Sequence, residues 1–324
     1  MEHFANNAIS LIMIPAISIK NLKKTYREGK GGQSKEALKG INLDIRSGAF
    51  FGLLGPNGAG KSTLINIMAG LTVKTSGSVS ICGYDIDKEM RPARKSIGVV
   101  PQELVLDTFF TVREALEITA GYYGVPKAKR RTGEIIEAMG LGDKADSHAR
   151  RLSGGMRRRL LIAKALVHSP KVLILDEPTA GVDVELRTQL WEYVKMLNKN
   201  GTTILLTTHY LEEAEDLCDD IAIINHGEVI ASEKKRTLMS RFDSKQLFLK
   251  LTSPLHSVPA ALAGIGATMT EEGDLMLRYR PSEANIEEIL NKIRASGLNI
   301  RDLATKEADL EDVFRHLTTH KAAA

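Results

Sequence analysis

The chain has 324 residues, 43% hydrophobic and 26% charged, with a formal net charge of +4, enough for about two domains and a substantial core. Mean hydropathy is -0.13, and no apolar run approaches the roughly 18–20 residues that cross a bilayer, which excludes a membrane channel built from this chain alone. The mild basic excess, with a pI near 8.9, permits contact with phosphates or an anionic leaflet but falls short of the signature of a nucleic-acid binder.

Residues 8–19 are the longest apolar stretch. Ser10, Pro15 and Ser18 interrupt it, and Glu2 precedes it without any Lys or Arg, so a secretory signal is not expected. Cys82 and Cys218 are the only cysteines; they supply neither a disulfide framework nor a zinc cluster, and fit a reducing cytosol. Short apolar runs at 50–54 (FFGLL), 172–175 (VLIL) and 204–208 (ILLTT) alternate with amphipathic helical segments, which predicts buried parallel strands in an open α/β sheet. Residues 102–152 show helical spacing at Val112, Ala115, Leu116 and Thr119, and again at Ile135, Ile136 and Met139. No strand-like run accompanies them, so this segment reads as a helical insertion. A hairpin around 225–227 closes the first domain. The charged stretch 234–245 reads as a linker, with a boundary near 240. The tail predicts strand 245–251, helix 257–263, strands 266–270 and 274–280, helix 284–296, strand 299–305 and helix 309–317. That order, βαββαβ plus a final helix, is the ferredoxin-like α+β arrangement.

GPNGAGKST, residues 55–63, matches GxxxxGK[ST] between a predicted strand and an amphipathic run of Leu64, Ile67, Met68 and Leu71. The glycines at 55, 58 and 60 let successive backbone N–H groups face inward, and the following helix adds the positive end of its dipole. Gly55, Pro56, Asn57, Gly58, Ala59, Gly60, Lys61, Ser62 and Thr63 therefore form a candidate phosphate cradle. Lys61 reaches the β- and γ-phosphates as a point charge, and the Ser62 hydroxyl is placed to ligate Mg²⁺.

KVLILDEP, residues 171–178, is an apolar strand that ends in two carboxylates. Desolvating two charges at a sheet edge is costly without a cation or a reaction to use them. Asp176 is expected to hold Mg²⁺ through its water shell, and Glu177 to polarise the water that attacks the γ-phosphate. LSGGM, residues 152–156, opens a helix with Ser153 at the N-cap, and Gly154 and Gly155 bare its first N–H groups. They make a second anion site, which cannot serve a phosphate already held by the first.

With these motifs in order, residues 16–235 resemble an ATP-binding cassette (ABC) ATPase, a P-loop NTPase core with a helical subdomain at about 103–165. Met156 departs from the commoner LSGGQ. The resemblance implies roles for four further residues: Tyr26 stacking on adenine, Gln102 sensing Mg²⁺ and the attacking water, Asp183 in an inter-subunit loop, and His209 as the switch facing the γ-phosphate. Residues 236–244 would be a linker and 245–320 a ferredoxin-like accessory domain similar to the C-terminal extension of bacterial drug-resistance exporter ATPases. One phosphate loop and one signature per chain imply two chains, a homodimer or a pair with a related ATPase subunit, each ATP held by 55–63 of one copy and completed by 153–155 of the other. The family further implies a separate integral-membrane permease, contacted mainly around Gln102, location at the cytoplasmic face of the membrane, and export of drugs or other small or lipid-like molecules.

Arg157, Arg158 and Arg159, with Arg150, Arg151 and the run at 127–131, read as a solvated helix face near phosphates. His148, His168, His226 and His256 share no ligand spacing, so zinc is not expected. A soluble ABC ATPase acting on nucleic acid or ribosomes would resemble two fused cassettes or one split by a long heptad insertion, and neither feature occurs. A non-hydrolytic nucleotide-gated module is opposed by the presence of both Glu177 and His209.

Overall fold

The computed structural model describes residues 14–27, 34–182, 184–241, 245–253, 255–259, 262, 264–270, 272–281 and 283–320. The chain divides into two compact units, Met1–Glu233 and Lys234–Ala324.

The first unit contains two sheets. One is antiparallel, in the order β2-β1-β4-β5, from β1 (Ile17–Arg27), β2 (Ser34–Ile45), β4 (Ser76–Ile81) and β5 (Tyr84–Asp85). The other runs β10-β9-β3-β8-β7-β6, from β3 (Phe50–Leu54), β6 (Ile97–Val100), β7 (Val172–Asp176), β8 (Thr203–Thr207), β9 (Asp220–Asn225) and β10 (Glu228–Lys234). Every residue of β3, β7 and β8 is buried, as a parallel strand covered on both faces requires. Pairings such as Phe51 with Leu205 and Ile174 with Leu205 put β3, β8 and β7 in parallel register. Their carboxyl ends, Leu54, Thr207 and Asp176, therefore open on one edge together with Val100 of β6. Ligands bind at that edge in open α/β sheets.

Helix α1 (Lys61–Met68) follows β3, and α2 (Met90–Ser96) precedes β6. Between Gln102 and Leu152 the chain forms α3 (Val112–Tyr122), α4 (Thr132–Ala138) and short 3-10 turns but no strand, as its spacing predicts. Thr111 and Glu114 cap α3 reciprocally, the Glu114 N–H donating to Thr111 Oγ1 and the Thr111 N–H to Glu114 Oε2. Helix α5 (Gly154–Leu166) packs on α3 and α4. Helices α6 (Val184–Lys199) and α7 (Leu211–Leu217) complete the unit. The hairpin of β9 and β10 turns at His226 and Gly227, both at positive φ, as a two-residue hairpin turn demands.

The described part of the stretch expected to be a linker is structured: β10 extends to Lys234 and α8 (Lys235–Ser240) follows at once, while 242–244 lie outside the described residues. In the second unit β11 (Lys245–Leu251), β12 (Ala267–Met269), β13 (Leu275–Tyr279) and β14 (Ile300–Glu307) form an antiparallel sheet in the order β12-β13-β11-β14, the ferredoxin-like order. Helices α9 (Ile286–Ala295) and α10 (Leu310–His320) accompany it. Leu247, Leu249, Leu275 and Leu277 of the sheet bury against Ile289 and Ile293 of α9. Each such side chain contributes about 1.5–3 kcal/mol. The helix predicted at 257–263 falls partly outside the described residues.

Candidate active site

The loop from Gly55 to Thr63 turns between β3 and α1 because two glycines occupy places closed to other residues. A Cβ at Gly55 would lie 2.2 Å from the Ile224 carbonyl oxygen, and Gly60 caps α1 at φ 111° with Ala37 O 2.8 Å from a Cβ position. The loop borders a cavity of about 450 Å³ lined by Tyr26, Lys35, Ala37, residues 57–63, Gln102, Glu177 and His209. A ring, a cation, bare N–H groups, an amide, a carboxylate and an imidazole thus meet in one depression of ordinary ligand size.

Lys61 is buried, and its Nζ donates to Gly55 O at 2.6 Å and Pro56 O at 3.2 Å, which holds the ammonium over the loop. Burial pushes its pKa below the usual amine value, against the pull of Glu177 and Asp176. Glu177 lies one residue past β7 with φ 49°, a conformation that costs a non-glycine residue about 1–3 kcal/mol. Its N–H donates to Thr207 O at 3.0 Å and Thr207 Oγ1 at 3.2 Å. Its carboxylate is approached from two strands: Gln102 Nε2, beyond β6, donates to Oε2 at 2.6 Å, and His209 Nε2, beyond β8, lies 2.5 Å from Oε1, an ion pair whenever the imidazole is protonated. The arrangement can draw a triphosphate onto the loop and orient a water between carboxylate, amide and imidazole.

Asp176 is buried beside this cavity, where its Oδ1 accepts from Thr207 Oγ1 at 2.5 Å. Ser153 caps α5, its Oγ accepting the Met156 N–H at 3.3 Å, and Gly154 is exposed with open space around it. Among the described residues that line the Lys61 cavity, none comes from 153–155. A single chain brings together Tyr26, the loop, Gln102, Glu177 and His209, and leaves the α5 N-terminus elsewhere. Asp183 lies outside the described residues.

Arg158 corrects the sequence reading. It is 5% exposed rather than on a solvated face. Its Nη1 donates to Pro101 O and its Nη2 to Gln102 O, both at 2.8 Å. Burial lowers its pKa against the attraction of Glu177 and Asp176. Arg157 and Arg159 also turn onto backbone carbonyls, Arg150 O at 3.0 Å and Met139 O at 2.9 Å. Lys35 carries no local signal of a site role; its antiparallel pairing with Tyr26 brings it to the cavity.

Residues 38–180 match the ABC transporter family profile. Over 312 residues the chain is 38% identical to the linearmycin resistance ATP-binding protein LnrL of Bacillus subtilis (strain 168), covering 93% of this chain and 98% of that protein. The chain belongs to the ABC transporter ATP-binding family. A Nod factor export ATP-binding protein I of Ralstonia nicotianae is 36% identical over 307 residues, 94% of each chain. Among solved structures, the ATP-binding subunit of an ABC transporter superposes with TM-score 0.63 at 30% identity, covering 70% of this chain and 93% of its own. An ATP-binding cassette in a dimeric post-hydrolysis state with ADP and Pi superposes with TM-score 0.62 at 30% identity, covering 67% and 98%. The chain is an ABC-type ATPase of nucleotide-binding P-loop architecture. No helix among its described residues is long and apolar enough to cross a membrane.

Proposed function

We propose that this ABC ATPase works as a dimer whose ATP hydrolysis drives a separate integral-membrane permease, from the cytoplasmic face of the membrane, in the export of drugs or other small or lipid-like molecules. The observation that carries the hydrolytic reading is the clamp on Glu177, one carboxylate held by Gln102 and His209 at the mouth of the Lys61 cavity. Tyr26 receives the adenine, and the N–H groups of 55–63 with Lys61 bind the phosphates. Glu177 accepts the proton of the attacking water, while Gln102 and His209 fix the orientation of its carboxylate.

The donor set fits Mg²⁺: a hydroxyl of Ser62, the amide oxygen of Gln102 and the carboxylate of Asp176 are hard oxygen ligands, and Mg²⁺ takes its remaining ligands from water and phosphate. When bound, it neutralises charge developing on the β- and γ-oxygens. A second copy supplies Ser153, Gly154 and Gly155, which one chain leaves apart from its own loop; two solved neighbours being dimers supports this. Asp183, in the stretch between Glu177 and α6, is assigned to the same seam by resemblance.

Export is supported by the relatives named for linearmycin resistance and Nod factor export. Contact with the permease is supported by exposed Leu104, Val105 and Phe109, all within seven residues after Gln102. The nucleic-acid reading is not favoured, since Arg157, Arg158 and Arg159 spend donors on backbone carbonyls instead of presenting them to phosphates. The deciding experiment is Glu177→Gln. It should keep ATP binding, stall turnover and accumulate an ATP-bound dimer in size-exclusion light scattering. Turnover at the wild-type rate, or a variant that stays monomeric with ATP, refutes the assignment.

A further inference from the structure

Glu213, on α7, is 7% exposed and lies outside the nucleotide cavity, yet donors from three other elements converge on its carboxylate. Thr179 Oγ1, two residues past Glu177, donates to Oε2 at 3.0 Å, and Thr208 Oγ1, one residue before His209, donates to the same oxygen at 2.7 Å. Trp191 Nε1 of α6 donates to Oε1 at 3.3 Å, and Arg187 Nε of the same helix forms an ion pair with Oε1 at 3.6 Å. The Arg187 guanidinium also lies 4.6 Å from the centroid of the Tyr210 ring, and the Tyr210 N–H donates to Thr208 Oγ1 at 3.0 Å. The two residues that bracket Glu213 in this network, Thr179 and Thr208, lie two residues and one residue along the chain from Glu177 and His209, which meet at the hydrolytic centre.

We propose that Glu213 is a positioning residue for hydrolysis, a buried brace that fixes the turn carrying Glu177 to the loop carrying His209. The proposal rests on the roles assigned above to those two residues. Its physical basis is strain: Glu177 sits at φ 49°, and a left-handed conformation at such a residue persists only where its surroundings over-determine it. Thr207 holds the N–H side of Glu177, and Thr179 bonded to Glu213 holds the other side of the turn. An ionised carboxylate suits the task because it offers acceptors only. An amide in its place would set an NH₂ group against either the threonine hydroxyls or the Trp191 N–H and Arg187. Arg187 keeps the buried charge from standing alone.

The test is steady-state ATP turnover and ATP binding by the full chain carrying Glu213→Gln, Thr179→Val, or both. Misplacing a reacting group by a fraction of an ångström to an ångström lowers rate more than affinity, so kcat in Glu213→Gln should fall about tenfold to a hundredfold. KM and the Kd for ATP should stay within about twofold, which a general loss of structure would not leave untouched. Thr179→Val should lower kcat by a smaller factor, and the double variant should be no slower than Glu213→Gln alone, since both remove one linkage. Wild-type kcat in Glu213→Gln, a loss of ATP affinity as large as the loss of kcat, or factors that multiply in the double variant would each overturn the proposal. If Glu213→Gln does not fold, Thr179→Val decides alone: reduced kcat at unchanged KM supports the brace, and wild-type kcat rejects it. Glu177→Gln run in parallel separates the two readings. Unimpaired turnover there removes the base assignment, whereas arrest there with full turnover in Glu213→Gln removes only the brace.

Discussion

Replacing Arg158 by Met keeps an unbranched stem of similar length and deletes the guanidinium. Pro101 O and Gln102 O then each lose a donor at 2.8 Å in a part-buried place, where water replaces some of what is lost, so each sits toward the low end of the roughly 1–3 kcal/mol that a fully buried unpaired acceptor costs. Part of that is recovered, because the guanidinium no longer has to be held away from water, where burial already weakens its hold on its proton. The balance is a destabilisation of about 2 kcal/mol. Arg158→Lys should cost roughly half as much, since an ammonium is a point charge that cannot fork to both carbonyls. Trp191 is the single tryptophan and lies in the first unit, so its fluorescence in a urea titration reports that unit's unfolding, with the slope unchanged if only stability moves. The functional consequence follows from what the carbonyls belong to. Gln102 is held in place through its own backbone, and its Nε2 reaches Glu177 at 2.6 Å; with the anchor gone, kcat should fall about tenfold while the 55–63 loop still binds ATP. Arg158→Met with stability within about 0.5 kcal/mol of wild type and wild-type kcat would show that these two bonds do not place Gln102.

Lys61→Ala should abolish ATP binding in equilibrium dialysis, because the cation anchored by Gly55 O and Pro56 O has no replacement on the loop; binding at wild-type affinity would refute the phosphate assignment. His168 makes a pH-dependent contribution whose sign is fixed by its surroundings. Its ring stacks on Tyr123 at 3.6 Å and 3°, Nε2–H donates to Ile97 O at 3.0 Å, and Nδ1 is buried without a hydrogen-bond partner among the described residues. Burial lowers its pKa despite that bond. Above the unfolded value of about 6.5 both states are neutral and nothing is lost; as pH falls below it the unfolded chain takes up a proton that the fold refuses, costing at most about 1.4 kcal/mol per pH unit. His168→Phe should therefore flatten the loss of stability between about pH 6.5 and the lower folded value, measured as urea midpoints across that range. An unchanged pH slope in the variant would show that His168 titrates alike in both states.

Which parts of this architecture could be read in the sequence depended on how far apart the interacting residues lie. Strands β3, β7 and β8 were legible because burial on both faces leaves an unbroken apolar run. Strand β1 was not, since its pairing with β2 shifts register between Ile19 and Leu22 and places Lys20 and Asn21 in succession on the exposed side. That bulge destroys the period of two by which a half-buried strand is recognised. The charged stretch after Lys234 reads as a linker because its charge masks the helical spacing, yet Leu238 is fully buried within α8.

The same rule governs the site. The phosphate loop is a contiguous run of backbone donors, so its chemistry is written in nine consecutive letters, residues 55–63. The supports of Glu177 come from Gln102, 75 positions earlier, and from Thr207, 30 positions later, and local spacing says nothing about either. Arg158 is the instructive case, because its partners are 56 and 57 positions away and yet its own position carried a signal. It stands three and four residues before the buried Leu161 and Ile162 on α5, which places it on the core-facing side of the helix. A charge there is costly unless it is fully engaged. Periodicity therefore marks Arg158 as a residue with an obligatory partner, even though only the fold reveals that the partner is the backbone of Gln102. Taken by itself, the triplet of arginines hid this, since composition treats three neighbours on a helix as one surface when their side chains point in three directions 100° apart, at 3.6 residues per turn.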